Sequence, residues 1–220
     1  SIRNRFPREP GSVGLAAQSG GGALNFVYLG SLRGIRFSKV ITYGNAIDLN
    51  ECDYLNYFSQ DPETKIILMY IEGLRDSKRF FSSLKQAAST KPVIILKGGR
   101  GESGMRAAAS HTAALAGSTK IWETMITQAE AISARDFDEM ADLAVSFYFL
   151  PPVQGPRVGV VGGGGGPSVL SADICEEAGL DVISLPTEIR EELKRQGNSI
   201  WDWVGNPTDS SISGETTFSA

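Results

Sequence analysis

One histidine, His111, stands in the stretch K-G-G-R-G-E-S-G-M-R-A-A-A-S-H-T-A-A-L-A-G-S, from Lys97 to Ser118. Small residues flank it on both sides, and the bulky aliphatic neighbour expected of an imidazole that merely packs is missing. With a single histidine and two cysteines far apart, Cys52 and Cys175, no ligand set has the spacing of a zinc site. No G-x-S-x-G occurs, so the strained elbow of a Ser–His–Asp hydrolase is missing too. The remaining chemistry for this imidazole is that of a nucleophile modified in transit. The plain alternative is a surface or core histidine without chemistry, the default for a lone residue of its kind.

Two glycine-rich turns suggest what the cargo is. Gln18-Ser19-Gly20-Gly21-Gly22 follows a short apolar run, and Gly162 to Gly166 follows V-G-V-V. At a helix start the free N–H groups carry about half a positive charge, and glycine lets a phosphate come close. Ser19, Gly20 and Gly21 in the first turn and Gly164, Gly165 and Gly166 in the second are therefore candidate phosphate-binding residues. The first turn also reads simply as a tight strand-to-helix connection, and the second as a glycine-rich linker. Neither ends in Gly-Lys-Ser/Thr, and the first is not the spaced G-x-G-x-x-G of a dinucleotide site. Glu72 ends the apolar run I-I-L-M-Y-I-E; it is either a solvated strand end or the acceptor that orients the histidine ring by one nitrogen and frees the other. Asp48 and Asp53 read as caps or turn acceptors. Lys97 and Arg100 read as phosphate partners or as solvated loop charges.

These residues need a scaffold, and the pattern supplies one. Strands are expected at Val13–Gln18, Lys39–Tyr43, Ile66–Glu72, Val93–Leu96 and Ala131–Ser133. Helical patterns lie between and after them: from Ala23 to Leu32, at Glu51–Phe58 behind an Asn50 cap, at Asp76–Ala88, at Thr119–Gln128 and at Phe137–Phe149. Strand and helix in alternation imply a doubly wound parallel α/β sheet, with 2-1-3-4-5 as the expected strand order. In such a sheet the ligand crevice lies beyond the carboxyl ends of the strands, where Ser19, Gly44, Glu72 and Lys97 all fall.

The expected organisation is a lead-in over 1–12, one domain over 13–150, a proline-rich linker over 151–156, and an incomplete second domain of the same type over 157–220. In the second part, Arg157–Val161 and Leu180–Ile183 read as strands. Pro167 reads as the first residue of a helix over Ser168–Ala178, Gly179 as its stop, and Thr187 as the cap of a helix reaching Gln196. Hydrophobic residues make up 41% and charged residues 21% of the 220, which calls for a packed core rather than disorder. The formal charge of −4 gives no basic face for nucleic acid. No apolar run is long enough to span a bilayer, no signal-peptide pattern opens the chain, and both thiols read as buried in a reduced, cytoplasmic protein.

Four segments carry a family resemblance: Q-S-G-G-G-A-L (Gln18 to Leu24), G-N-A-I-D (Gly44 to Asp48), M-Y-I-E (Met69 to Glu72) and S-H-T-A-A-L-A-G (Ser110 to Gly117). With the later G-G-G-G-G-P-S-V-L-S-A-D they resemble the nucleoside-diphosphate-forming acyl-CoA synthetases, relatives of succinyl-CoA synthetase and of ADP-forming acetyl-CoA synthetase. The resemblance runs from Val13 nearly to the end and implies a flavodoxin-like ligase domain. It implies His111 as the phosphohistidine, Glu72 as the residue steadying its ring, and the two helix starts as phosphate holders. The implied reaction turns acyl-CoA, phosphate and nucleoside diphosphate into acid, CoA and nucleoside triphosphate, by way of an acyl phosphate. CoA, ATP or ADP, phosphate and Mg would be substrates of a whole enzyme, with no cofactor held by this chain itself. The implied partners are a CoA-binding domain and an ATP-grasp domain or subunit, in a homo- or hetero-oligomer. Two departures from the family pattern stand out: three glycines after Ser19 where one is usual, and Ala113 after Thr112 where glycine is frequent. The competing readings are a regulatory or scaffold domain of the same fold without turnover, and a nucleotide-binding flavodoxin-like module.

Overall fold

A computed structural model of the chain describes residues 8–104, 106, 119–162, 164–196 and 205–209. The chain divides into two units, with the boundary between Pro151 and Pro152. The first unit runs β1 (Val13–Ala17), α1 (Gly20–Leu32), β2 (Phe37–Thr42), α2 (Glu51–Gln60), β3 (Ile66–Ile71), α3 (Ser77–Ala88), β4 (Val93–Lys97), α4 (Thr119–Gln128), β5 (Ile132–Ala134) and α5 (Phe137–Phe149). Its strands form one sheet in the order β2-β1-β3-β4-β5, all neighbours parallel. This is the doubly wound sheet and the strand order that the apolar alternation implies.

Period-2 alternation along the strands divides the core in two. Leu15, Leu68 and Ile94 turn to one face, where Phe26 and Val27 of α1 and Met140 and Ala144 of α5 cover them. Ile67, Met69 and Ile95 turn to the other, beneath Leu55 and Phe58 of α2, Phe80 and Leu84 of α3, and Trp122 and Ile126 of α4. Phe80 and Trp122 stack with centroids 5.9 Å apart. Burying a side chain of this size contributes roughly 1.5–3 kcal/mol, and β3, paired on both edges, is buried along most of its length. Glu72 follows directly on this central strand.

Helix boundaries follow their caps. Asn50 caps α2 through the Cys52 N–H, and Asp53 returns a bond to the Asn50 N–H at 2.9 Å, a reciprocal capping box. Asp53 is thus a cap residue, and it also pairs with Arg79. Asp76 and Asp136 cap α3 and α5. Helix α1 begins at Gly20, three residues before the Ala/Leu-rich pattern, because Ser19 caps it and draws the glycines into its first turn.

The second unit holds β6 (Val161–Gly162), α6 (Gly165–Glu177), α7 (Thr187–Gln196) and β7 (Thr208–Asp209), with β6 and β7 parallel. Several local expectations are corrected here. Arg157–Val161 and Leu180–Ile183 do not form a paired ladder; a single bridge joins Arg157 to Asp181. Asn206 takes over the linking, accepting from the Val160 N–H at 2.8 Å and donating to the carbonyls of Val158 and Ile183. Pro167 is the third residue of α6 rather than its first, since the open backbone of Gly164 starts the helix earlier, and Thr187 lies inside α7. Gly179, with φ +79°, ends α6 as expected. Cys52 is buried, but Cys175, on a helix with few covering neighbours, is only half-buried. Among the described residues no helix is long and apolar enough to cross a membrane.

Candidate functional site

Parallel strands end together, so the residues that follow β1 to β4 meet along one sheet edge. Ser19, the cap of α1, accepts the Gly22 N–H at 3.1 Å. The amides of Gly20 and Gly21 are left without an intrahelical acceptor, facing the positive end of the helix. A Cβ placed on Gly20 would meet nothing within 4 Å. Packing therefore does not demand a glycine there, whereas an anion drawn close to those amides would.

Glu72 is held from two sides. Gln18, buried between β1 and the turn, accepts the N–H of Glu72 and, at 3.0 Å, that of Gly73; its amide nitrogen donates to the Gly73 carbonyl at 3.0 Å. From β4, Lys97 donates to the Glu72 carbonyl at 2.7 Å and to the Gly98 carbonyl. Lys97 is buried, with its ammonium 5.8 Å from the centre of the Trp122 ring. Burial draws its pKa down, against the charge of Glu72 and with that of Arg100. It is thus not a solvated loop charge: two of its three N–H donors are held by carbonyls. Arg100 reaches across to the Arg135 carbonyl at 2.5 Å.

Tyr70, on β3 two residues before Glu72, stacks on Phe137 of α5 with centroids 5.5 Å apart. Burial first, then the charge of the nearby Glu72, pushes the Tyr70 phenol up to about 12. The turn after β2 is tied in as well. Arg75 donates to the Asn45 carbonyl at 2.6 Å, and its own N–H bonds the buried Glu51 carboxylate at 2.8 Å. The Tyr43 hydroxyl and the other Glu51 oxygen have no hydrogen-bond partner among the described residues. Burial, then the nearby Glu51 charge, pushes the Tyr43 phenol far up. Cys52 behaves alike, its thiol pushed up to about 12 by burial and by Glu51, which leaves it inert.

Gly164 begins α6 with φ 143° and no side-chain cap, and a Cβ on Gly166 would meet nothing within 4 Å. Gly164, Gly165 and Gly166 thus form an open, uncapped helix start in the second unit. His111 lies outside the described residues, as does Gly163. Of the expected site residues, Ser19, Gly20, Gly21 and Glu72 share one edge of the first unit; the turn after β2 joins that edge through the Arg75–Asn45 bond. No group of three or more metal-ligating side chains occurs among the described residues. Sequence reasoning missed Gln18, Tyr70 and the burial of Lys97. The available signal was a polar residue at each strand end, inside otherwise apolar runs.

Comparison with known proteins gives a consistent picture. A family model described as "Succinyl-CoA ligase like flavodoxin domain" matches residues 10–147. The alpha subunit of acetate–CoA ligase (ADP-forming) II from Pyrococcus furiosus is 42% identical over 84% of this chain and 40% of the relative. The 4-hydroxybutyrate–CoA ligase (ADP-forming) of Nitrosopumilus maritimus is 35% identical over 94% of this chain and 30% of that protein. Among solved structures, the dinucleotide forming acetyl-coenzyme A synthetase 1 of Ca. Korarchaeum cryptofilum, in complex with phosphate and ADP, superposes with a TM-score of 0.81 at 30% identity. That match covers 93% of this chain and 45% of the other. The chain spans less than half the length of these relatives.

Proposed function

Because this chain belongs to the family of succinyl-CoA ligase-like flavodoxin domains, we propose that it is the phosphoryl-relay core of an NDP-forming acyl-CoA synthetase. The observation that carries this reading is the pairing of an anchored carboxylate with an open helix start: Glu72, locked by Gln18 and Lys97, lies on the same sheet edge as the Ser19-capped amides of Gly20 and Gly21. An enzyme passing a phosphoryl group by way of histidine needs both, one to aim the ring and one to hold the anion.

The steps are as follows. A phosphate oxygen attacks the acyl-CoA carbonyl; the C–S bond breaks, and CoA leaves with an acyl phosphate formed. A ring nitrogen of His111 attacks the phosphorus, the P–O bond to the acyl group breaks, and the carboxylate leaves. Glu72 accepts a hydrogen bond from the other ring nitrogen, offsetting the positive charge that builds on the ring. The amides of Gly20 and Gly21 steady the phosphoryl oxygens, and the start of α6 (Gly164, Gly165, Gly166) is a separate candidate anion site of the second unit. A terminal oxygen of nucleoside diphosphate then attacks the same phosphorus and the P–N bond breaks, restoring His111 and yielding nucleoside triphosphate. ADP is the expected acceptor, in line with the ADP-forming relatives. CoA, nucleotide and Mg would be bound by a CoA-binding domain and an ATP-grasp domain or subunit of the whole enzyme. Residues 157–220 are assigned to a second domain of flavodoxin type, and the compartment to the cytoplasm.

The test is chemical. The assembled enzyme incubated with γ-labelled ATP is expected to carry acid-labile, base-stable phosphate on this chain, absent from His111→Ala. Label that survives in His111→Ala contradicts the relay.

A further inference from the structure

Glu72 is useful only if its carboxylate points one way, and its main chain is only half of that problem. Gln18 fixes the N–H side of the peptide and Lys97 the carbonyl side, so the backbone of Glu72 cannot turn. What remains free are the torsions of a long, unbranched side chain. Two neighbours close on that freedom. Tyr70, on β3 two residues earlier, has its ring fixed against Phe137. Gly98, just beyond β4, lies beneath both: a Cβ there would sit 2.7 Å from the Tyr70 hydroxyl oxygen and 3.3 Å from Cγ of Glu72. The hydroxyl and the carboxylate stem therefore share the space that a side chain at position 98 would fill. The phenol, raised by burial first and then by the Glu72 charge, stays protonated and able to donate across the neutral range.

We propose that Tyr70 is a positioning residue for the phosphoryl transfer: its hydroxyl donates to the Glu72 carboxylate and holds it in the rotamer that receives the histidine ring, in a space kept open by Gly98. The inference rests on the relay reading above and adds a residue that acts only through Glu72.

Two variants remove the contact in different ways. Tyr70→Phe deletes the hydroxyl and keeps the ring stack; Gly98→Ala keeps the hydroxyl and pushes it aside. In the assembled enzyme, each is expected to slow labelling of His111 from ATP by about tenfold, the scale of one lost hydrogen bond to a charged group. Saturation by ATP is expected to stay unchanged. In a Glu72→Gln background the same two changes are expected to have no further effect, a silence that a purely structural role for Tyr70 would not produce. Wild-type rates in Tyr70→Phe, or full and additive losses in the Glu72→Gln background, overturn the assignment. A wild-type enzyme that takes no label on His111 overturns instead the relay reading on which it stands.

Discussion

The amide of Gln18 and the peptide of Gly73 bond each other in both directions, each contact 3.0 Å: Oε1 accepts the Gly73 N–H, and Nε2 donates to the Gly73 carbonyl. The residues are 55 apart in sequence, yet this pair fixes the turn after β3 against the turn after β1. The proposed ring-orienting carboxylate and the proposed anion-binding helix start thereby become one rigid edge.

Replacing Gln18 with Leu keeps the bulk and removes all three contacts. The N–H groups of Glu72 and Gly73 and the Gly73 carbonyl then stay desolvated without partners. The cost is expected to be about 2–4 kcal/mol, read as a lower denaturant midpoint for the first unit. An unchanged midpoint would mean that water replaces the amide at no cost.

A charge placed at the start of α1 tests anion binding apart from stability. The open space around Gly20 accepts a side chain. Gly20→Asp is expected to leave the melting temperature unchanged or slightly raised, since a carboxylate suits a helix N-terminus. Phosphate affinity, measured by calorimetry on the assembled enzyme, is expected to fall by at least about tenfold through like-charge repulsion. Undiminished phosphate binding would remove Ser19, Gly20 and Gly21 from the site.

How much of this was legible in the sequence depends on the range of the interaction. The doubly wound sheet follows from the alternation of apolar runs with helical patterns, and I-I-L-M-Y-I, buried at every residue but Tyr70, belongs mid-sheet. Asn50 announces its helix because capping acts over three residues. The contacts around Glu72 are different. Gln18 and Lys97 look like unremarkable polar punctuation at strand ends, and only the parallel register brings them onto the main chain of Glu72. The second unit was overread for the same reason: V-G-V-V and L-D-V-I have strand composition, yet Val161–Gly162 pairs with Thr208–Asp209, and Leu180–Ile183 contributes one bridge.

Asp61 links stability to pH at the opposite end of the sheet. Hydrogen bonds from Lys39 and Thr64 hold its carboxyl down to about 2. A depressed carboxylate contributes stability above its unfolded value, and that contribution is lost as pH falls through the folded one. Asp61→Asn is therefore expected to melt lower than wild type at neutral pH, with the gap closing as the pH nears 2. A gap that stays constant with pH would show that the ion pair is not its source.

The relay itself is tested most directly by phosphorus–nitrogen coupling. The chain contains one histidine, so labelling it with [15N]histidine marks a single ring. After incubation of the assembled enzyme with ATP, the account expects one 31P resonance split by 15N, gone in His111→Ala. A protein-bound phosphorus signal without that splitting would place the phosphoryl group on another atom and contradict the account.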